Sequence, residues 1–231
     1  MHQISNYVYA QDALTRWDIP TKRLPNPYHD FPYMLIKGVL SSEDCRVITS
    51  LVREEKDVYQ ASLRGGHVNS SIRKTDIYAL NPVHHRLYQS RFDLFRNEIE
   101  AFFSLSLTRS TNVQVLGYDE GAFYVRHADD SSELRDYEGH TVGYVPVAAE
   151  RKLSTVLFAT SHSVHGQGEE RFEGGELLFN YLCDDQGRTI TLQPQAGDML
   201  VFLSNPYFSH EVLPVTKGFR LSLVQWHDAL I

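Results

Sequence analysis

Apolar and polar positions change rhythm along this chain, and each change marks an element. Residues 1–31 are polar and dotted with Pro20, Pro25 and Pro27, which predicts a loosely structured lead-in. The run FPYMLIKGVL, 31–40, predicts a strand, and SSEDCRVITSLVREEK after it predicts a helix. Ser41 or Ser42 is placed to cap its first amides, acidic residues fill its first turn, and Cys45, Ile48 and Val52 share one face. The stretch ASLRGGHVNSSIRKTD, 61–76, is polar and glycine-bearing and predicts a loop. Helical spacing returns from 82 to 103, opened by Asn81 as a cap and Pro82 in the first turn. There Tyr88, Phe92, Phe95, Ile99 and Phe102 form a stripe that packs on a core.

After residue 110 the period shortens. TNVQVLGY, AFYVRH, KLSTVLFAT, GELLFNY, RTITLQP, DMLVFLS, HEVLPV and FRLSLVQW are rich in β-branched and aromatic residues. Turn signals such as Asp185-Gln186-Gly187 and Gly197-Asp198 separate them. Eight short strands without intervening helices predict a β-sandwich or jelly roll. The expected fold class is therefore mainly β with flanking helices. The lead-in covers 1–30 and one domain covers 31–231, with helical support over 31–110 and a jelly-roll core over 111–228. Residues 130–150 are too many for a hairpin turn and are expected to form a functional loop or lid.

Composition excludes several classes. A length of 231 residues suits one domain, and a net charge of −7 argues against a nucleic-acid partner. Two cysteines, Cys45 and Cys183, make neither a disulfide framework nor a cysteine zinc site, and point to a reduced, cytoplasmic setting. The first residues do not read as a secretory signal, and no run of 18 apolar residues predicts a membrane span. HExxH and GxSxG are absent, and no GK[ST] follows the glycines at 166, 168, 174 and 175.

One stretch carries chemistry. FYVRHADD, 123–130, ends an aromatic run with His127 and Asp129, which strand alternation places on the face of Phe123 and Val125. Two histidines and one carboxylate suit non-haem Fe(II), since they leave coordination positions open. His210, opening a strand near the C-terminus, is the best third ligand. Ten residues later Arg220 starts an apolar strand, where a guanidinium needs an anionic partner. A 2-oxo acid chelating the metal and held through its distal carboxylate by Arg220 explains all four positions. Arg64 and Arg73 in the 61–76 loop are candidate substrate contacts, and His162 with His165 is a weaker second metal candidate.

His-x-Asp, a distal His and an Arg ten residues on resemble the Fe(II)/2-oxoglutarate-dependent dioxygenases. YDEGAFYVRHADD, RKLSTVLFAT, FEGGELLF and LQPQAGDMLVFLSNPYFSHEVLPVTKGFRLSLVQW are similar to the prolyl 4-hydroxylase-like group, over roughly 111–228. That resemblance implies a double-stranded β-helix with His127, Asp129 and His210 as iron ligands and Arg220 as the 2-oxoglutarate anchor. It implies O2 as oxidant, with ascorbate in support, and hydroxylation of a C–H bond of a prolyl or other peptidyl or amino-acid substrate, with release of succinate and CO2. Tyr118, and secondly Tyr124, falls where the family places a tyrosine on the cosubstrate. Some relatives carry such a tyrosine in the segment LFAT, 157–160, where this chain has no tyrosine, so Tyr118 or Thr155 must complete the site. Asp129 favours hydroxylation, because related halogenases replace this carboxylate with a small residue. The alternatives are a tailoring oxygenase acting on a small molecule by hydroxylation, desaturation or cyclisation, and a non-catalytic, cupin-like metal-binding protein.

Overall fold

A strand must pair every backbone amide it buries, and the eight apolar runs do so by folding the chain back on itself. The computed structural model of the chain describes residues 2–3, 6–7, 9–10, 32–54, 59–60, 72–164 and 170–230. Its core strands are β1 (Gln114–Tyr118), β2 (Phe123–His127), β3 (Leu153–Phe158), β4 (Leu177–Cys183), β5 (Thr189–Leu192), β6 (Met199–Leu203), β7 (His210–Val212) and β8 (Arg220–Leu230). One sheet carries β6, β3, β8 and β1 in that order, and the other carries β5, β4, β7 and β2. Early strands pair antiparallel with late ones: β1 with β8, β2 with β7, β3 with β6 and β4 with β5. This is the jelly roll expected from the strand rhythm.

Short strands extend both sheets. Met34–Ile36 flanks β6, Asp76–Tyr78 flanks β1, and Ser106–Ser110 runs beside the end of β8. Arg73–Lys74 flanks β2, and Tyr9–Ala10 pairs with β4. Two expectations change here. The lead-in contributes the paired strands His2–Gln3 and Tyr9–Ala10, while 11–31 lie outside the described residues. The expected 61–76 loop ends in strands from Arg73 onward, and 61–71 lie outside the described residues.

The 130–150 segment is also not a loop. It is a hairpin of Ser131–Arg135 and Thr141–Pro146. Asp136 accepts the amides of Glu138 and His140, and Gly139 supplies a positive φ of 84° at the tip. The side-chain carboxylate does the work of a turn hydrogen bond, so a longer connection closes as tightly as a short one.

Helix α1 (Ser42–Glu54) starts where the Ser41 hydroxyl accepts the Asp44 amide at 3.0 Å, and it buries Cys45, Ile48, Thr49 and Val52. Helix α2 (Pro82–Phe103) starts where Asn81 accepts the Val83 and His84 amides, and it buries Tyr88, Phe92, Ile99 and Phe103. Phe95 and Phe102 of the expected stripe are partly buried against the same core. Both helices lie against the β3–β8 sheet: Thr49 donates to the Ala159 carbonyl, and Phe92 stacks on His227 at 4.6 Å. With a helix on one face and a cavity on the other, all six residues of β3 are buried.

Candidate metal centre

The register of β2 against β7 sets His127 directly opposite His210, with ring centroids 4.3 Å apart. A bulge lies in this pair. Tyr124 faces Val212 and His127 faces His210, so three steps on β2 match two on β7. The extra residue breaks the alternation expected for Phe123, Val125 and His127. Tyr124 and His127 come to the same side, stacked at 3.7 Å and 14°. Asp129 follows just beyond β2, its Oδ1 lying 3.7 Å from His127 Nε2. One ligand atom from each of His127, Asp129 and His210 falls within 4.8 Å of the others, the one such group among the described residues. Of the weaker candidate only one residue is described. His162 pairs with Glu176 at 3.0 Å, and His165 lies outside the described residues.

The surroundings prepare all three groups for a cation. His127 Nδ1 lies 3.0 Å from the Val125 carbonyl, and His210 Nδ1 lies 2.9 Å from the Phe208 carbonyl. A carbonyl only accepts, so each Nδ1 is the N–H and each Nε2 keeps its lone pair. Burial, reinforced by neighbouring His210, pulls the His127 pKa down to about 3, so the ring is neutral at ordinary pH. Burial pushes the Asp129 carboxyl up, but the two histidines and the Ser154 hydroxyl outweigh it and hold the group below its usual value. Ser154 donates to Asp129 Oδ2 at 2.6 Å and stands 2.7 Å from the Ser204 hydroxyl. Oδ1 is thereby left to face the imidazoles. A group must be deprotonated to bind a metal ion, and His127 and Asp129 are held so.

Arg220 opens β8 opposite Tyr118 on β1 and is only 1% exposed. Its guanidinium lies 4.8 Å from the Tyr118 ring and 5.3 Å from that of Phe158. Nη1 donates to Ser222 at 3.2 Å, whereas Nε is buried without a partner. Burial lowers its pKa from the ordinary arginine value. Among the described residues no carboxylate pairs with it, so a buried cation awaits an anion. Arg220, Ser222, Tyr118, His127, Asp129 and His210 all line one cavity of about 760 Å³ between the two sheets. The residues present therefore fit both halves of the expected group, a divalent metal at the triad and a carboxylate at Arg220.

The other cosubstrate candidates divide. Tyr118 lies beside Arg220 in the cavity. Tyr124 lines the cavity and lies against His127, and burial pushes its phenol up to about 12, so it stays protonated. Thr155 is a correction. It lies on the opposite face of β3, where its hydroxyl meets Tyr88 at 3.0 Å and His227 at 3.1 Å, and it does not line the cavity. Its neighbours Ser154 and Val156 take the inner face. Sequence reading missed Ser154, Ser204 and Ser222. The signal for the last was a serine two residues from Arg220 on the same strand.

A jelly roll with two histidines and a carboxylate lining a cavity, and in the same cavity a buried arginine with which no carboxylate pairs among the described residues, has the form of a non-haem iron oxygenase using a 2-oxo acid. Residues 113–228, half of the chain, match the 2OG-Fe(II) oxygenase superfamily, and the chain belongs to that family. Curated relatives include a PKHD-type hydroxylase of Idiomarina loihiensis, 28% identical over 52% of this chain and 43% of its own. One of Xylella fastidiosa is 30% identical over 49% of this chain and 43% of its own. The chain thus spans less than half the length of these relatives. Among solved structures, a prolyl-4-hydroxylase of Pseudomonas putida is similar, with TM-score 0.60 and 25% identity over 85% of this chain and 92% of that one. A prolyl hydroxylase of Trichoplax adhaerens, solved with a hypoxia inducible factor peptide fragment, shares the fold at TM-score 0.63 and 17% identity, over 85% of this chain and 83% of that one.

Proposed function

We propose that this chain is an Fe(II)- and 2-oxoglutarate-dependent dioxygenase that hydroxylates an unactivated C–H bond of a prolyl or other peptidyl or amino-acid substrate. The observation that carries the reading is the pairing, in one cavity, of the His127–Asp129–His210 cluster with buried Arg220, whose Nε has no partner and with which no carboxylate pairs among the described residues. The relatives, PKHD-type and prolyl hydroxylases, support the substrate class.

His127 Nε2, Asp129 Oδ1 and His210 Nε2 would hold the iron. Arg220 would receive the distal carboxylate of 2-oxoglutarate, helped by the Ser222 and Tyr118 hydroxyls. Bound there, iron and 2-oxoglutarate supply the oxidant, one oxygen atom of O2 entering the product hydroxyl and the other entering succinate as CO2 leaves. Ascorbate would serve to return oxidised iron to the ferrous state. The chain's own work is positional. The carbonyls of Val125 and Phe208 orient the imidazoles, Ser154 fixes the carboxylate, and the apolar walls Val156, Leu177 and Val212 limit water in the cavity. Cys45 and Cys183 form no disulfide among the described residues, which supports a reducing, cytoplasmic setting, and no helix among them is long and apolar enough to cross a membrane.

The test is coupled turnover. With Fe(II), 2-oxoglutarate and a panel of prolyl peptides and amino acids, mass spectrometry should find a product heavier by one oxygen, matched by succinate. Full succinate production by Asp129→Ala would sink the assignment.

A further inference from the structure

The cavity contains more positive charge than the proposed chemistry uses. Its lining includes four arginines, Arg73, Arg126, Arg151 and Arg220, and two carboxylates, Asp129 and Glu133. Arg126 is bound to Glu133. With the site loaded, the two charges of 2-oxoglutarate and that of Asp129 balance those of iron(II) and Arg220. Arg73 and Arg151 remain, and among the described residues neither has an acidic side chain within ion-pair distance. The sequence immediately before Arg73 does not supply one, since residues 61–71 contain no Asp or Glu and add Arg64.

Both guanidiniums are held ready. Arg73 lies over the Tyr124 ring at 4.6 Å, and Tyr124 in turn stacks on His127 at 3.7 Å. Its Nε is buried without a partner. Arg151 lies over the Trp226 ring at 3.8 Å, and its Nη1 donates to the Asp129 carbonyl at 3.1 Å. Arg151 therefore touches one residue of the metal cluster, and Arg73 is one ring removed from another. An arginine flat on an aromatic ring has lost little freedom it still needs, and its free edge matches a carboxylate in a bidentate fork.

We infer that the substrate carries a carboxylate close to the carbon that is oxidised, and that Arg73 and Arg151 bind it. This rests on the oxygenase reading above and narrows its substrate class. The carboxylate is either the α-carboxylate of a free amino acid or C-terminal residue, or the side chain of an acidic residue next to the oxidised one in a peptide. In each case the group would offset one of the two charges that the cavity leaves over.

Matched probes test it. L-Proline is compared with L-prolinamide, and peptides with proline beside glutamate are compared with their glutamine counterparts, using wild type, R73Q, R151Q and the double variant. The carboxylate member of at least one pair should be oxidised with a kcat/KM at least about tenfold above its neutral partner. Each single substitution should raise KM for that acid about tenfold, and the double variant should lose the preference for acid over amide. Which pair responds identifies the source of the carboxylate. Calorimetry on zinc-loaded protein with 2-oxoglutarate present should show the same acid binding and the same loss in the double variant. No oxidation of any carboxylate member, or an acid preference that survives in the double variant, overturns the inference. Succinate release without substrate, persisting in such a case, leaves the oxygenase reading standing. No succinate release by wild type, with or without any of these substrates, brings down both.

Discussion

Replacing Ser154 with alanine removes one hydroxyl and tests how the carboxylate ligand is held. Ser154 donates to Asp129 Oδ2 at 2.6 Å in a buried setting, while Oδ1 faces His127 Nε2. A net hydrogen bond to a charged group contributes about 1.5–3 kcal/mol, and about 1.4 kcal/mol is a factor of ten in affinity. The S154A protein should therefore bind Fe(II) or Co(II) roughly 10–100-fold more weakly, the range also found for groups that orient metal ligands. Ser204, which touches Ser154 and is neutral, should matter less: S204A is expected to cost under about tenfold. The assay is anaerobic competition against a chelator at constant pH, with circular dichroism to confirm that the fold survives. Metal affinity in S154A within about threefold of wild type would show that the carboxylate is oriented by something other than this hydroxyl.

Burial holds the His227 imidazole neutral, its pKa drawn down to about 3 against 6.5 for an ordinary histidine. As pH falls the unfolded chain takes up that proton first, so the stability contributed is whole above about pH 6.5 and is lost as pH drops toward 3. Urea unfolding of metal-free protein should show wild type losing about 2 kcal/mol more than H227Q between pH 6.5 and 5, and equal slopes would contradict this. The T155V protein should be destabilised by about 1–3 kcal/mol, because Thr155 bonds Tyr88 and His227, yet keep its KM for 2-oxoglutarate within about twofold; a large KM change would return Thr155 to the cosubstrate site. At Gly175, φ is +61° and a Cβ would stand 2.9 Å from Val215 Cγ2 and 3.2 Å from Arg220 Cδ. G175A should cost about 1–2 kcal/mol in thermal unfolding and raise the KM for 2-oxoglutarate severalfold, an effect that normal 2-oxoglutarate kinetics in the variant would exclude.

The four residues at the heart of the site were legible because each is a polar group at the end or start of an apolar strand, where ordinary packing gives no reason for it. The eight core strands were legible from their turns and β-branched content. Phase was harder. Strand β3 is buried on both faces, so its sequence LSTVLF shows no alternation, and a shift of one residue exchanges Thr155 for Ser154. In β2 alternation is visible, but the bulge that brings Tyr124 onto the face of His127 depends on pairing with β7, which no local pattern encodes. The 131–146 hairpin was read as a lid because its turn is closed by the Asp136 side chain rather than by a short glycine dipeptide. Arg151 was passed over altogether. Its importance comes from the Trp226 ring beneath it, 75 positions away in the chain.

Anaerobic titration of Fe(II)-loaded protein with 2-oxoglutarate, followed by the visible charge-transfer absorbance of the chelate, reads the metal triad and the arginine in one experiment. Wild type should bind one iron and one 2-oxoglutarate and develop the band. R220Q should need at least about tenfold more 2-oxoglutarate to reach it, and Asp129→Ala should not develop it. No band in wild type, or an unchanged titration in R220Q, would contradict a shared site for the two groups.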